Sequence, residues 1–336
     1  MKKIAFLFSA AAAVACSELV PESGNEIFYS GEGGKITITI DREASPTKAM
    51  PDYTETTSDE EIINNVAVFV FDKATGTLNA SCELETLDDG CTMTVTAGEK
   101  IVYAVVNGPD LSHVTKVSEL ERTEDDLSAT DISTNGLVMV GREDCTVAAG
   151  QTATPVVTVK RLVARVVLLA VKCSLPSQYK SMRVNSVYLG DANSIQSFGG
   201  TVSGKVNVDG YEDAEKTRPI GQNDVLGACS GYMFRTATKL IDVGNTDWTR
   251  RHLYCQPSDD ESVTCMYMIV TIDGTPYYYR VPLVKGLKSN STYSVEVEIA
   301  NIGSLLPPDT DMQKGEISAT VKVAGWDVGD KYEVEF

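Results

Sequence analysis

Val159-Lys-Arg-Leu-Val-Ala-Arg-Val-Val-Leu-Leu-Ala-Val171 is the longest apolar run beyond the N-terminal leader, and it lies near the middle of the chain. Read at a period of two, one face carries Leu162, Ala164, Val166, Leu168 and Ala170. The other carries Val159, Val163, Val167, Leu169 and Val171 beside Arg161 and Arg165. A strand apolar on both faces must be covered on both sides, so this segment is expected at the pivot of the architecture. A buried helix would give a similar run, but the valines, which lose rotamer freedom in a helix, and the missing caps favour a strand. For Arg161 and Arg165 the expected arrangement is a packed stem with the guanidinium reaching water or a carboxylate at a domain junction; an anion site is the less natural reading.

The rest of the composition frames that strand. The chain has 336 residues, 43% of them hydrophobic and 23% charged, which is enough for two domains with real cores and unlike a disordered chain. A formal net charge of -18 and a pI near 4.5 oppose binding to nucleic acid or to an anionic membrane surface, both of which would repel it. Only two histidines, His113 and His252, are available for general-base catalysis or imidazole ligation. No nucleophile elbow, metal motif or distinctive carboxylate pair emerges, so neither an enzyme nor a cofactor is expected.

The N-terminus reads as an address. Lys2 and Lys3 precede the uncharged stretch Ile4 to Ala15, too short to span a bilayer but suited to the apolar region of a secretion signal. It ends in Ala13-Val-Ala-Cys16, small residues before a cysteine that resemble the bacterial lipoprotein box, with Ala13 where leucine is usual. Residues 1–15 are therefore expected to be a signal peptide, and Cys16 the acylated first residue of a tether over 16–34 that holds the protein to a membrane. Cleavage of an ordinary signal peptide near Ala15 is the alternative. Setting Cys16 aside leaves Cys82, Cys91, Cys145, Cys173, Cys229, Cys255 and Cys265, an odd set with no CxxC and no zinc spacing. Buried thiols with one or two bridges are expected, and the pairing is open.

Lys35-Ile-Thr-Ile-Thr-Ile-Asp-Arg42 alternates strictly, with Ile36, Ile38 and Ile40 on one face of a half-buried strand. A polar connector, Glu43 to Glu61, follows and holds Pro46, Lys48 and Pro51. Strands are expected over Ile62 to Asp72, Thr77 to Leu84, Cys91 to Ala97, Ile101 to Asn107, Gly136 to Val140 and Ala153 to Val159, with an acidic helix between Thr115 and Leu127. Beyond the pivot come Met182 to Leu189, a loop-rich stretch from Asp191 to Gly227, then strands at Leu253 to Cys255, Cys265 to Ile272, Tyr277 to Val284 and Tyr293 to Ile299. Gly199-Gly-Thr-Val-Ser-Gly-Lys205 nearly matches a phosphate-binding loop, but Val206 stands in the magnesium position and the context is strand rather than helix. Short strands at this spacing indicate an all-β sandwich protein.

Asn65-Val-Ala-Val-Phe-Val-Phe-Asp72, Val102-Tyr-Ala-Val-Val-Asn-Gly-Pro109, Lys160-Arg-Leu-Val-Ala-Arg165, Tyr277-Tyr-Tyr-Arg-Val-Pro-Leu283, Ser289-Asn-Ser-Thr-Tyr293 and Val323-Ala-Gly-Trp326 stand in order along the chain. Together they resemble the fimbrillin family, the subunits of protease-assembled (type V) pili of Bacteroidetes. Where that family often has an acidic-Asn pair, this chain has Cys255-Gln-Pro-Ser258. The resemblance implies two tandem transthyretin-like β-sandwich domains, over 35–158 and 159–336. It also implies an outer-membrane lipoprotein precursor, exposed at the cell surface, that matures into extracellular fimbriae and contributes to adhesion. Its partners would be other fimbrial subunits and a trypsin-like maturation protease. The strand bearing Ile36, Ile38 and Ile40 would be removed by cutting between Lys48 and Ala49, with Arg42 as the alternative. The tail strand bearing Ile317, Ala319, Val321 and Val323 would then enter a neighbour's groove. The two end segments alternate alike, so either could fill one groove; without the resemblance both would be read as ordinary edge strands. A pilus anchor, a tip adhesin and a stand-alone ligand-binding lipoprotein are the alternative functions.

Overall fold

The computed structural model describes residues 33–42, 58–127, 132–190, 192–205, 240–242, 251–259, 261, 263–305, 317–325 and 332–335. The all-β expectation is borne out. A first sheet is built from β1 (Gly33–Arg42), β2 (Val66–Asp72), β3 (Leu78–Leu84), β4 (Cys91–Thr96), β5 (Gly98–Val106), β7 (Met139–Val147), β8 (Thr152–Ala153) and β9 (Val156–Arg161). Its order is β3-β2-β5-β7-β9-β1-β4, with β8 also on β1. One face of nearly every strand feeds a single core, in which Ile36, Ile38, Val68, Val70, Met93, Ala104, Met139 and Val157 meet. A sheet whose two ends share one core must curl over on itself, and the disulfide Cys82–Cys91 ties end strand β3 to end strand β4. Of the expected cysteine bridges, this is the one among the described residues; Cys145, Cys173, Cys255 and Cys265 are in no disulfide.

The outer face of β2 and β5 carries a second core of Phe69, Phe71, Ile101, Tyr103 and Val105. It is covered by Leu111, Val114 and Leu120, and by Phe198 from further along the chain. The expected helix between Thr115 and Leu127 is only one turn, α1 (Val117–Leu120); the chain then extends into β6 (Glu124–Asp126). The reason is a competing sheet: β6 pairs antiparallel with β12 (Asn193–Ser197), which pairs with β13 (Val202–Lys205). The stretch read as loop-rich from Asp191 therefore opens with two strands. Val202 to Lys205 is strand, whereas Val206 and the residues after it, where the sequence context puts strand rather than helix, lie outside the described residues.

The pivot segment is two strands rather than one. β9 ends at Arg161, the chain bends at Leu162 and Val163, and β10 (Ala164–Cys173) begins in a different sheet. The bend satisfies its own backbone, since Leu162 N–H donates to the Val138 carbonyl and the Val163 carbonyl accepts from Asn290 N–H, at 3.0 and 2.9 Å. Leu162 packs in the core outside β2 and β5, Val163 in the core that follows. Val159 thus lies within the first sheet. The double-sided burial expected of this segment holds from Arg161 to Leu168.

Two further sheets follow. One has the order β15-β10-β18-β19-β20, from β15 (Arg251–Cys255), β18 (Ser291–Ile299), β19 (Ile317–Gly325) and β20 (Tyr332–Glu335); the other has β14-β11-β16-β17, from β11 (Ser181–Gly190), β14 (Leu240–Asp242), β16 (Val263–Ile272) and β17 (Thr275–Lys285). Their apolar faces meet in one core containing Val166, Leu168, Val184, Leu253, Met268, Val281 and Val295. The hairpin between β16 and β17 turns at Asp273 and Gly274, both at positive φ (45° and 85°), and β17 begins at Thr275, two residues before the strand expected from Tyr277. Asp273 repays its strained backbone by accepting from the Lys180 and Ser181 amides, which holds its carboxyl below the usual range.

Candidate functional site

β1 is an interior strand. It pairs antiparallel with β4 from Gly33 opposite Thr96 to Ile38 opposite Cys91. On its other side it runs parallel to β8, with Lys35 opposite Thr152, and then to β9, from Thr39 opposite Val156 to Arg42 opposite Val159. The alternation read from the sequence is realised: Ile36 and Ile38 are wholly buried and Ile40 nearly so, while Lys35 and Thr39 face out. Fully burying three isoleucines stabilises the fold by several kcal/mol, at about 1.5–3 each. The loop before β8 adds to the seat, since Lys35 N–H donates to the Gln151 carbonyl and the Gly33 carbonyl accepts from Gly150 N–H, both at 2.9 Å. Reading β1 as an edge strand is therefore corrected, because β4 and β9 flank it on both sides.

β4 depends on β1 in return. Among the described strands β1 is the only one β4 pairs with. At its C-terminal end β4 runs directly into β5 through Ala97, and Thr96 is held by Asn79 Oδ1 (2.9 Å from its amide) and by the Lys100 ammonium (2.8 Å from its hydroxyl). Lys100 is itself fully buried and paired with Asp72 at 3.0 Å, whose carboxyl that hydrogen bond lowers. At the N-terminal end of β4 the attachment is Cys91, bonded to Cys82.

The chain re-emerges after β1 as a 3₁₀ turn, Ser58–Glu61, and here sequence reasoning missed a residue. Glu60 is completely buried. Its carboxylate meets the Arg165 guanidinium at 2.7 Å and accepts the Tyr254 hydroxyl, and its carbonyl accepts from Arg161. Arg165 also donates to the Thr292 hydroxyl at 3.1 Å. The expected carboxylate thus exists for Arg165, whereas Arg161 meets the backbone carbonyl of the same glutamate. The source of that carboxylate was hidden in Asp59-Glu60-Glu61, which reads as part of a polar connector. The only signal for Glu60 was the demand side: arginines in an apolar segment, of which Arg165 takes its carboxylate as the anion.

Arg42 closes β1, paired with Val159. Cys16, Lys48 and Ala49 lie outside the described residues. The tail segment forms β19, which pairs antiparallel with β18 from Ile299 opposite Ile317 to Ser291 opposite Gly325, and whose other edge pairs with β20 from Thr320 to Val323. Among the described residues no group of three or more His, Cys, Asp or Glu could hold a metal ion, and no helix is long and apolar enough to cross a membrane. Burial raises the Cys255 thiol to about 12, which keeps it inert.

The sequence profile described as "Major fimbrial subunit protein (FimA)" matches residues 35–225. No curated protein matches the chain. Among solved structures, a fimbrilin (FimA) from Porphyromonas gingivalis W83 superposes with a TM-score of 0.58 at 14% identity, over 88% of this chain and 98% of that one. A protein assigned to cell adhesion from Parabacteroides distasonis ATCC 8503 gives 0.59 at 14% identity, over 89% and 99%. The tip fimbrial protein Mfa3 from P. gingivalis, truncated at its C-terminus, gives 0.51 at 13% identity, over 88% and 100%. At these identities the likeness is one of fold.

Proposed function

The chain belongs to the major fimbrial subunit protein (FimA) family, a family of structural subunits of surface fimbriae, and from that premise we propose that it is a pilus subunit assembled by strand replacement. The observation that carries the reading is the position of β1. It sits inside a sheet, yet among the described residues it precedes every other strand, and residues 43–57 link it to them. Cutting that connector detaches a whole strand from its neighbours without breaking the chain that forms the remaining strands. Glu60, locked between Arg165 and Tyr254, keeps the new N-terminal region pinned while β1 leaves. The vacated edges of β4, β8 and β9 then offer unpaired backbone groups and an apolar slot, the two elements of strand addition.

In this reading a lipidated Cys16 brings the precursor to the outer membrane surface and a trypsin-like protease cuts between Lys48 and Ala49, since Arg42 is held in the sheet beside Val159. The tail carrying Ile317, Ala319, Val321 and Val323 supplies the replacement strand. We also read the chain as two tandem transthyretin-like sandwich domains, joined at the bend Leu162–Val163. N-terminal sequencing of subunits sheared from cells tests the scheme. A start at Ala49 supports it and a start at Glu43 moves the cut to Arg42. An intact acylated Cys16 on the surface protein overturns it in favour of an anchor subunit or a stand-alone lipoprotein.

A further inference from the structure

The seat of β1 makes a demand that its apolar alternation does not express. At Gly34 an added Cβ would lie 2.5 Å from Val147 Cγ1, 2.9 Å from the Ala148 carbonyl oxygen and 3.1 Å from the Gln151 carbonyl oxygen. Two of those three atoms are backbone, in the turn that leads into β8, and they cannot step aside as a side-chain tip would. The groove left by β1 therefore takes a strand with glycine at this point and apolar residues two, four and six places on, where Ile36, Ile38 and Ile40 sit. It also favours a hydroxyl at the place of Thr37, whose Oγ1 meets Thr92 Oγ1 at 3.0 Å.

Of the chain's 26 glycines, only Gly34 and Gly315 are followed at those three places by Ala, Val, Leu or Ile. Gly34-Lys-Ile-Thr-Ile-Thr-Ile40 is matched by Gly315-Glu-Ile-Ser-Ala-Thr-Val321, including the hydroxyl residue Ser318 for Thr37 and Thr320 for Thr39. Resting on the strand-replacement reading above, we infer that residues 315–321 of a second copy enter the groove parallel to the departed β1 and in one register, Gly315 at the glycine seat and Ile317, Ala319 and Val321 in the three apolar slots. The opposite polarity would place Gly325 at the seat, with Val323, Val321 and Ala319 in the slots, but it puts Lys322 rather than a hydroxyl opposite Thr92. The cost of leaving home is offset. β19 gives up β18 and β20 and gains β4 on one side and β8 and β9 on the other. The fit is complementary but looser than the original. Ala319 underfills the slot that Ile38 occupies with no exposed surface, so the tail cannot displace a β1 that is still attached.

Thiol cross-linking reads the register directly. Thr37 stands opposite Thr92, so in this register Ser318 of the incoming copy does too. Copies bearing Thr92→Cys, freed of β1 by limited trypsin cleavage, are mixed with copies bearing Ser318→Cys or, separately, Lys322→Cys. The expected result is a disulfide-linked dimer with Ser318→Cys in at least tenfold excess over Lys322→Cys. A second variant guards against failure of the labelled pairs: Gly315→Val should cut the yield of detergent-stable polymer tenfold or more with the thermal unfolding of the precursor unchanged, whereas Gly325→Val should not. Cross-linking through Lys322→Cys, or full-length ladders from Gly315→Val, overturns the register while leaving strand replacement standing. Absence of any polymer from the cleaved wild type overturns the underlying reading itself.

Discussion

β1 and β19 carry nearly the same sequence pattern and occupy unlike positions. β1 lies inside its sheet, with β4 on one flank and β8 and β9 on the other, and its isoleucines are the middle of a closed core. β19 has β18 along its whole length and, among the described strands, only the four-residue β20 on its other side. An amphipathic alternation fixes which side chains face a core. It does not fix whether a strand is interior or near an edge; that depends on which other strands are available to flank it. The flanks of β1 come from residues 91–96 and 152–159, distant in sequence, so its seat is finished only when much of the first sheet has formed.

The comparison is broken most severely by a charge in the more enclosed strand. Ile38→Asp places a carboxylate where no surface is exposed, in the apolar core around Val68 and Met93. The expected loss is above about 4 kcal/mol, from the apolar contacts forfeited and the buried charge together. Soluble yield and circular dichroism of the precursor should show failure to fold. Val321→Asp is the matched change in β19. It should lower the urea midpoint of the precursor less than Ile38→Asp does, yet abolish polymer ladders after cleavage. Equal damage to the precursor from both would mean that the two strands are equally enclosed.

Much of this arrangement was legible in the sequence. Most strands of the first sheet, the burial of Ile36, Ile38 and Ile40, and the double-sided burial at Val163 to Leu168 follow from periodicity, because burial on one or two faces leaves a direct trace in residue type; β7 is the exception, expected over Gly136 to Val140 and found over Met139–Val147. The break at Leu162 does not, since a chain that passes from one core into another stays apolar through the crossing. The helix expected before Leu127 shrank to a turn because β12, more than sixty residues on, competes for Glu124 to Asp126; no local window contains that partner. Glu60 was invisible for a related reason: an acidic residue among acidic residues reads as solvated until the arginines that bury it are in place.

The comparison sharpens if β4, the strand that β1 leaves behind, is loosened. Reducing Cys82–Cys91, or replacing both with serine, should cost the precursor about 2–3 kcal/mol, the loop-closure contribution for a short loop. The cleaved subunit should suffer more. Without β1 the N-terminal end of β4 has lost its strand partner, while its C-terminal end is still held at Thr96 by Asn79 and Lys100. Urea unfolding before and after trypsin cleavage measures the difference. Polymer yield from the double-serine subunit should fall several-fold relative to wild type, and equal yields would show that the groove holds its shape without the bridge.

The smallest effect lies at the seam between the two regions. Asp125 of β6 sits opposite Gln196 of β12, buried, with its Oδ2 accepting from Gln256 Nε2 at 2.7 Å, and Gln256 bridges to Asn193. Burial raises its carboxyl from 3.8 to about 6; the Gln256 hydrogen bond opposes the rise and the neighbouring Asp126 adds to it. Because the folded-state value lies above the unfolded one, the native protein keeps a proton between roughly pH 4 and 6 that the unfolded chain has already released. Stability therefore falls as pH rises through that window, and the full penalty is present above it. Asp125→Asn removes the titration and keeps an acceptor for Gln256, so at pH 7 it should raise stability by roughly 1–2 kcal/mol, while near pH 4 it should change little. Urea unfolding of both proteins at pH 4.0, 5.5 and 7.0 gives the comparison. A stability difference that is flat across those three values would mean that Asp125 binds its proton no more tightly in the native seam than in the unfolded chain, and that β6 and β12 are joined without the buried proton.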